Sequence, residues 1–182
     1  MHRRSLLKLG IAAASVVAAT GHTPYKQWKV YRQKHLLIGT SRADEPTYPL
    51  GKRIARLLEQ HLPQSKARVA RARTVHRLVS LLSTGQIPVL LVSVPDAVAI
   101  AAGEQAFEAF GPLDVRALYR VGDHLLVTRA DFPGHHAWML VHTLSEYGAT
   151  LPGARMPSAA DSPVEIHPGA LAFARGEALP GE

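Results

Sequence analysis

The chain has 182 residues, 47% of them hydrophobic and 19% charged, and it contains no cysteine. That balance excludes a largely disordered chain and suits one domain of ordinary size. The missing thiols exclude disulfides, thiolate nucleophiles, iron–sulfur clusters and Cys-ligated zinc. The net charge of +7 is unevenly placed: residues 1–24 carry +3, residues 25–77 carry +10, and residues 78–182 carry −6. Such polarity marks either an anionic contact or basic helix faces turned to solvent.

Taken in chain order, Arg3, Arg4 and Lys8 precede a short Ala-rich apolar stretch, residues 11–19. This is the layout of a bacterial export signal, and it is too short and too weakly apolar for a membrane span. Paired arginines followed by Leu6-Leu7-Lys8 resemble a twin-arginine signal, which exports folded proteins. Residues 1–19 are read as that signal, with a cut after Ala19. An uncleaved signal would instead anchor the chain to the inner membrane. Either way the expected location is periplasmic or otherwise extracytoplasmic. Residues 20–34 are polar and basic, with Tyr25, Trp28 and Tyr31 three apart, and are read as a linker.

Beyond the linker, short apolar runs alternate with helical patterns. His35–Gly39 reads as a buried strand. From Tyr48 to His61, Leu50, Ile54, Leu57 and Leu58 recur at helical spacing, and Pro63 closes the helix. Lys66–Ala72 reads as a modest strand. Thr74 caps a helix to Leu82, with Gly85 just beyond. Pro88–Ser93 is a strong buried strand, and Asp96–Ala102 a short helix with Asp96 as its cap. Val115–Tyr119 and His124–Thr128 read as strands, Phe132–Tyr147 as a helix. Residues 149–182 are rich in Gly, Pro and Ala, with one helical segment near 168–175.

Strands alternating with helices predict an α/β fold with a mostly parallel sheet flanked by helices. In open sheets of this kind ligands sit beyond the carboxyl ends of the strands. That directs attention to loops 39–49, 72–75 and 93–97. Hydroxyls and charges there make Thr40, Ser41, Thr47, Tyr48, Ser93 and Asp96 candidate ligand-binding residues, with Arg77, two residues beyond the second of these loops, added to them. Helix capping and loop closure are the competing roles for the Thr, Ser and Asp side chains.

The first loop, Gly39-Thr40-Ser41-Arg42-Ala43-Asp44-Glu45-Pro46-Thr47-Tyr48-Pro49-Leu50-Gly51, resembles the TAXI family, the extracytoplasmic solute receptors associated with TRAP transporters. Thr74-Val75-His76-Arg77-Leu78, the run Leu81–Gly85 before Ser93-Val94-Pro95-Asp96, Leu118-Tyr119-Arg120 and Ile166-His167-Pro168-Gly169-Ala170 follow in the family's order. The resemblance implies a receptor that hands small organic acids or amino acids to a membrane transporter, built as two α/β lobes closing on the ligand. This chain is shorter. It passes from Tyr119–His124 almost directly to Leu126–Asp131, which resembles a segment the family places after its second lobe. The resemblance therefore implies a single lobe of the type II periplasmic-binding-protein kind, residues 35–176, with a tail at 177–182 and a deletion near residues 121–126.

The first loop also departs from the family. Glu45-Pro46 replaces glycines, Pro46 has no N–H to offer an anion, and Asp44 and Glu45 place negative charge where a carboxylate would sit. Arg77 stands where an uncharged amide is usual. Two readings follow: a receptor-like protein that binds a small carboxylate or amino acid weakly or with a partner, or a protein-interaction module that has left solute binding. TRAP-type transporter subunits and a second copy of the chain are the candidate macromolecular partners; nucleic acid is not expected. His135, His136 and His142 do not have metal-site spacing, since seven helical residues span about 10 Å. No nucleophile elbow, phosphate loop or dinucleotide fingerprint occurs, so neither an enzyme nor a cofactor is expected.

Overall fold

The computed structural model describes residues 35–158, 160 and 162–180. The signal read over 1–19, the linker over 20–34 and the last two residues of the tail lie outside the described residues. The rest forms an α/β lobe: a six-stranded sheet flanked by five helices. The strands are β1 (Leu37–Ser41), β2 (Arg68–Ala72), β3 (Val89–Ser93), β4 (Val115–Val121), β5 (His124–Arg129) and β6 (Ala154–Arg155). The helices are α1 (Thr47–His61), α2 (Val75–Ser83), α3 (Val94–Ala102), α4 (Gly134–Tyr147) and α5 (Pro168–Ala174).

The strand order is β2-β1-β3-β5-β4-β6. β1 is parallel to both neighbours, with Ile38 opposite Val69 on one side and Val89 on the other. The remaining pairs, β3–β5, β5–β4 and β4–β6, are antiparallel. The parallel arrangement expected from strand–helix alternation thus holds for β2-β1-β3 and gives way in the other half. The cause is local. Val121 pairs with His124 across the two-residue turn Gly122-Asp123. Gly122 takes φ +60°, at the position where a type II′ hairpin turn requires a positive φ. A two-residue turn reverses the chain, whereas a parallel return needs a crossover of a dozen residues or more.

Two cores flank the sheet. On one face α1, α4 and α5 pack through Ile54, Leu58, Leu140, Leu144 and Ala170 onto Leu91, Leu118 and Leu126. On the other, α2 and α3 pack through Leu78, Leu82 and Ile100 onto Leu90, Val92, Leu125 and Val127. The strand residues alternate between the two lists, as the pleat demands. The helical pattern of α1 reaches the core as expected: Ile54, Leu57 and Leu58 are buried while Lys52, Arg53 and Arg56 are exposed.

The His167-Pro168-Gly169-Ala170 segment is structural throughout. His167 N–H donates to the Ala117 carbonyl at 2.9 Å and draws the preceding residues alongside β4. Its Nδ1 accepts from Gly169 N–H at 3.1 Å, which caps α5, and its Nε2 lies 2.9 Å from the Phe132 carbonyl. That pairing fixes the neutral tautomer with the proton on Nε2. Burial holds the imidazole below its ordinary pKa, helped by the charge of Arg116, while the bond to Phe132 acts in the opposite sense. Pro168 opens the helix. A Cβ on Gly169 would sit 2.2 Å from the Gly134 carbonyl oxygen, so α5 meets the start of α4 at a distance only glycine permits. Ala170 is fully buried.

Candidate site at the strand carboxyl ends

The chain leaves β1 for α1 and β2 on one side, then crosses back through α2 to β3 on the other. The carboxyl ends of β1 and β3 therefore diverge, and this is the switch point at which open α/β sheets bind ligands. The loop after β1 and the start of α3 form its walls.

The loop is closed by its own side chains. Thr47 Oγ1 accepts from Ser41 N–H at 3.2 Å and lies 2.6 Å from the Asp44 carbonyl and 3.2 Å from that of Ser41. Ser41 Oγ accepts from Ala43 N–H at 3.1 Å. Thr40 Oγ1 lies 3.4 Å from the Ala70 carbonyl. All three residues are buried. Their hydroxyls shape the loop rather than face solvent. Pro46, at the N-cap, offers α1 no side-chain acceptor, and closure through Thr47 takes over that role.

The second wall is α3. Ser93 Oγ accepts from Asp96 N–H at 3.2 Å and donates to Asp96 Oδ2 at 2.8 Å. This corrects the sequence expectation: Ser93 is the N-cap, and Asp96, at the third helical position, completes the cap from inside. The reason is that Val94-Pro95 already has helical geometry, with proline at a position that needs no N–H. Asp96 also lies where the helix dipole favours a negative charge.

The structure brings to these walls two residues that were not chosen as candidates. His124 opens β5 directly opposite Ser93 in the ladder, and Val94 N–H donates to the Asp123 carbonyl at 3.0 Å. His124 Nε2 stands 3.1 Å from Asp44 Oδ2 and 3.3 Å from Oδ1, with side chains 12% and 20% exposed. The hairpin thus clips onto the first loop, and the ladder sets the Asp44–His124 pair beside the Ser93–Asp96 cap, His124 standing opposite Ser93. Asp44 drew notice in the sequence only as a misplaced charge. Its partner lies 80 residues on, and nothing short of the strand order would reveal it.

Two other candidates lie elsewhere. Tyr48 turns toward β2, its ring 4.4 Å from the Arg71 guanidinium and 5.6 Å from Lys52 Nζ. Arg77 is exposed in the first turn of α2, where its N–H donates to Thr74 Oγ1 at 3.2 Å. The histidines of α4 have other neighbours: His142 stacks on Trp138 at 5.0 Å and faces Glu146 at 3.4 Å. Among the described residues, no three His, Asp or Glu side chains gather as a metal site requires. Among the same residues, no helix is long and apolar enough to cross a membrane. A groove of about 410 Å³ lined by Leu36, Leu62, Phe132, Met139 and Leu140 opens at the opposite end of the sheet.

No protein-family model matches the chain, and no curated protein matches it at a significant level.

Proposed function

We propose that the chain is a receptor-like lobe, related to the TAXI solute receptors, that takes a small organic acid or amino acid at the ends of β1 and β3, weakly or with a partner closing the open side. The reading is extracytoplasmic, with TRAP-type transporter subunits as the membrane partner. The observation that carries it is the Asp44–His124 pair at the switch point, with His124 opposite Ser93, whose hydroxyl holds Asp96. The arrangement favours an amino acid over a simple carboxylate. Two carboxylates, Asp44 and Asp96, offer acceptors for an ammonium group, and His124, once released from Asp44, can donate to a carboxylate. A ligand without an amine must compete with Asp44 for His124.

The test is a thermal-shift comparison of the full chain with millimolar amino acids and dicarboxylates. Ligand at 100 times its dissociation constant adds about 2.7 kcal/mol. The expected result is a rise with an amino acid that is lost in Asp44→Asn. A cooperative melt unmoved by every ligand overturns the reading.

A second reading, a protein-interaction module, is favoured by the closed state of the loop: Thr40, Ser41 and Thr47 are buried and their hydroxyls bond backbone groups. It predicts a dimer or a docked protein partner in sedimentation velocity, weakening with salt.

A further inference from the structure

We infer that the β2 edge of the sheet is a docking surface for an anionic phospholipid bilayer. Along α1, Tyr48, Lys52 and Arg56 follow at four-residue spacing and share one face. α1 packs against β2, and Arg71 of β2 lies over the Tyr48 ring at 4.4 Å. Arg73, exposed, follows directly after the end of β2. Arg42 is tied to this end by its N–H bond to the Ala72 carbonyl at 2.9 Å. The five cations thus border one edge.

Most arginines of residues 78–182 are neutralised by carboxylates, and Arg120 bonds the Gly122 carbonyl. Arg116 holds Asp114 and Glu165, Arg129 holds Asp131, and Arg175 holds Glu177. On the β2 edge Glu59 pairs with Arg68. Among the described residues, Arg42, Lys52, Arg56, Arg71 and Arg73 form no ion pair with a carboxylate. Like charges held together without counter-charge repel one another, and a polyanion relieves that repulsion.

The character of the stripe selects the polyanion. The described residues with large exposed hydrophobic side chains are Val98, Tyr147 and Leu179, none of them between Arg42 and Arg73. A protein interface needs a desolvated apolar centre. Binding of single-stranded nucleic acid needs an open aromatic face for stacking, and the Tyr48 ring is covered by Arg71. A bilayer of anionic headgroups asks only for several long-stemmed cations on one surface and needs no exposed ring. The inference is independent of what occupies the switch point.

The experiment is co-sedimentation of the full chain with phosphatidylcholine vesicles, with and without phosphatidylglycerol. Variants are Arg71→Glu/Arg73→Glu, Lys52→Glu/Arg56→Glu and the milder Arg71→Gln/Arg73→Gln, each checked for native circular dichroism. Arg155→Glu/Arg175→Glu is the control of equal charge change. The expected result is at least tenfold weaker binding to anionic vesicles for each reversed pair, a smaller loss for the glutamines, and unchanged binding to neutral vesicles. Equal loss in the control overturns the proposal, as does parent binding that ignores phosphatidylglycerol. Displacement by a duplex oligonucleotide, with vesicle binding insensitive to all variants, assigns the stripe to nucleic acid instead.

Discussion

His124 and Asp44, 80 residues apart in sequence, meet at 3.1 Å and join the β4–β5 hairpin to the loop after β1. Both are mostly buried, so the pair is shielded from solvent more than a surface ion pair. Asp44→Ala and His124→Ala should each destabilise the chain by about 1–3 kcal/mol, because each leaves a buried polar group without its partner. The double variant should cost less than the sum of the two, with a coupling of about 0.5–3 kcal/mol. Urea denaturation of the four proteins measures this. Simple additivity would mean that the contact holds nothing together.

Ser93 caps α3 and shares its hydroxyl with Asp96. Ser93→Ala should cost about 1 kcal/mol and Ser93→Gly only a few tenths, because glycine leaves the helix end open to water. If both cost the same in urea, the hydroxyl is not acting as a cap.

Gly122 and Gly169 fail for different reasons. Gly122→Ala meets a positive φ and should cost about 1–2 kcal/mol, with Gly122→Asn milder, since asparagine visits that region more readily. Gly169→Ala drives a methyl group into the Gly134 carbonyl oxygen. That contact is backbone and yields only by moving α5 away from α4, at a cost of about 1–3 kcal/mol or more. Gly169→Asn should be worse still, whereas Gly122→Asn should be better than Gly122→Ala. Thermal melts of the four variants separate the two causes.

His167 makes stability depend on pH in a definite direction. Its folded-state pKa lies below the ordinary 6.5. Above pH 6.5 the imidazole is neutral in both states and its contribution is complete. As pH falls through 6.5 toward the depressed value, the unfolded chain takes up a proton that the folded chain refuses, and stability is lost. His167→Asn keeps an acceptor for the helix cap and removes the titration. The parent's fall in melting temperature between pH 7.5 and pH 5.5 should be steeper than the variant's. Parallel slopes would show that His167 does not titrate in this window.

The elements that were legible in the sequence are those whose apolar periodicity is strong. In α1 the spacing of Ile54, Leu57 and Leu58 reports a single buried stripe. In β3 the unbroken run Val89–Val92 reports burial on both faces. Direction was less legible. Whether β4 and β5 run parallel or antiparallel depends on the Gly122-Asp123 turn, and hydrophobicity carries no sign for it. β6 is two residues long and has no period to detect. In the candidate site, the loop hydroxyls lie close in sequence and could be read from local chemistry, as could a cap near residue 96, though the structure gives that role to Ser93 and not to Asp96. The Asp44–His124 contact could not, because it depends on which strand lies beside β3.

The tight turn between β4 and β5 also has a practical meaning. Gly122 and Asp123 lie outside both cores, and the paired residues Val121 and His124 fix two strand ends side by side. A protein spliced between them needs termini only a few ångströms apart, and it would stand over the Asp44–His124 contact. The turn is therefore a splice port where a grafted sensor could report on that contact, provided the bond from Val94 N–H to the Asp123 carbonyl is kept.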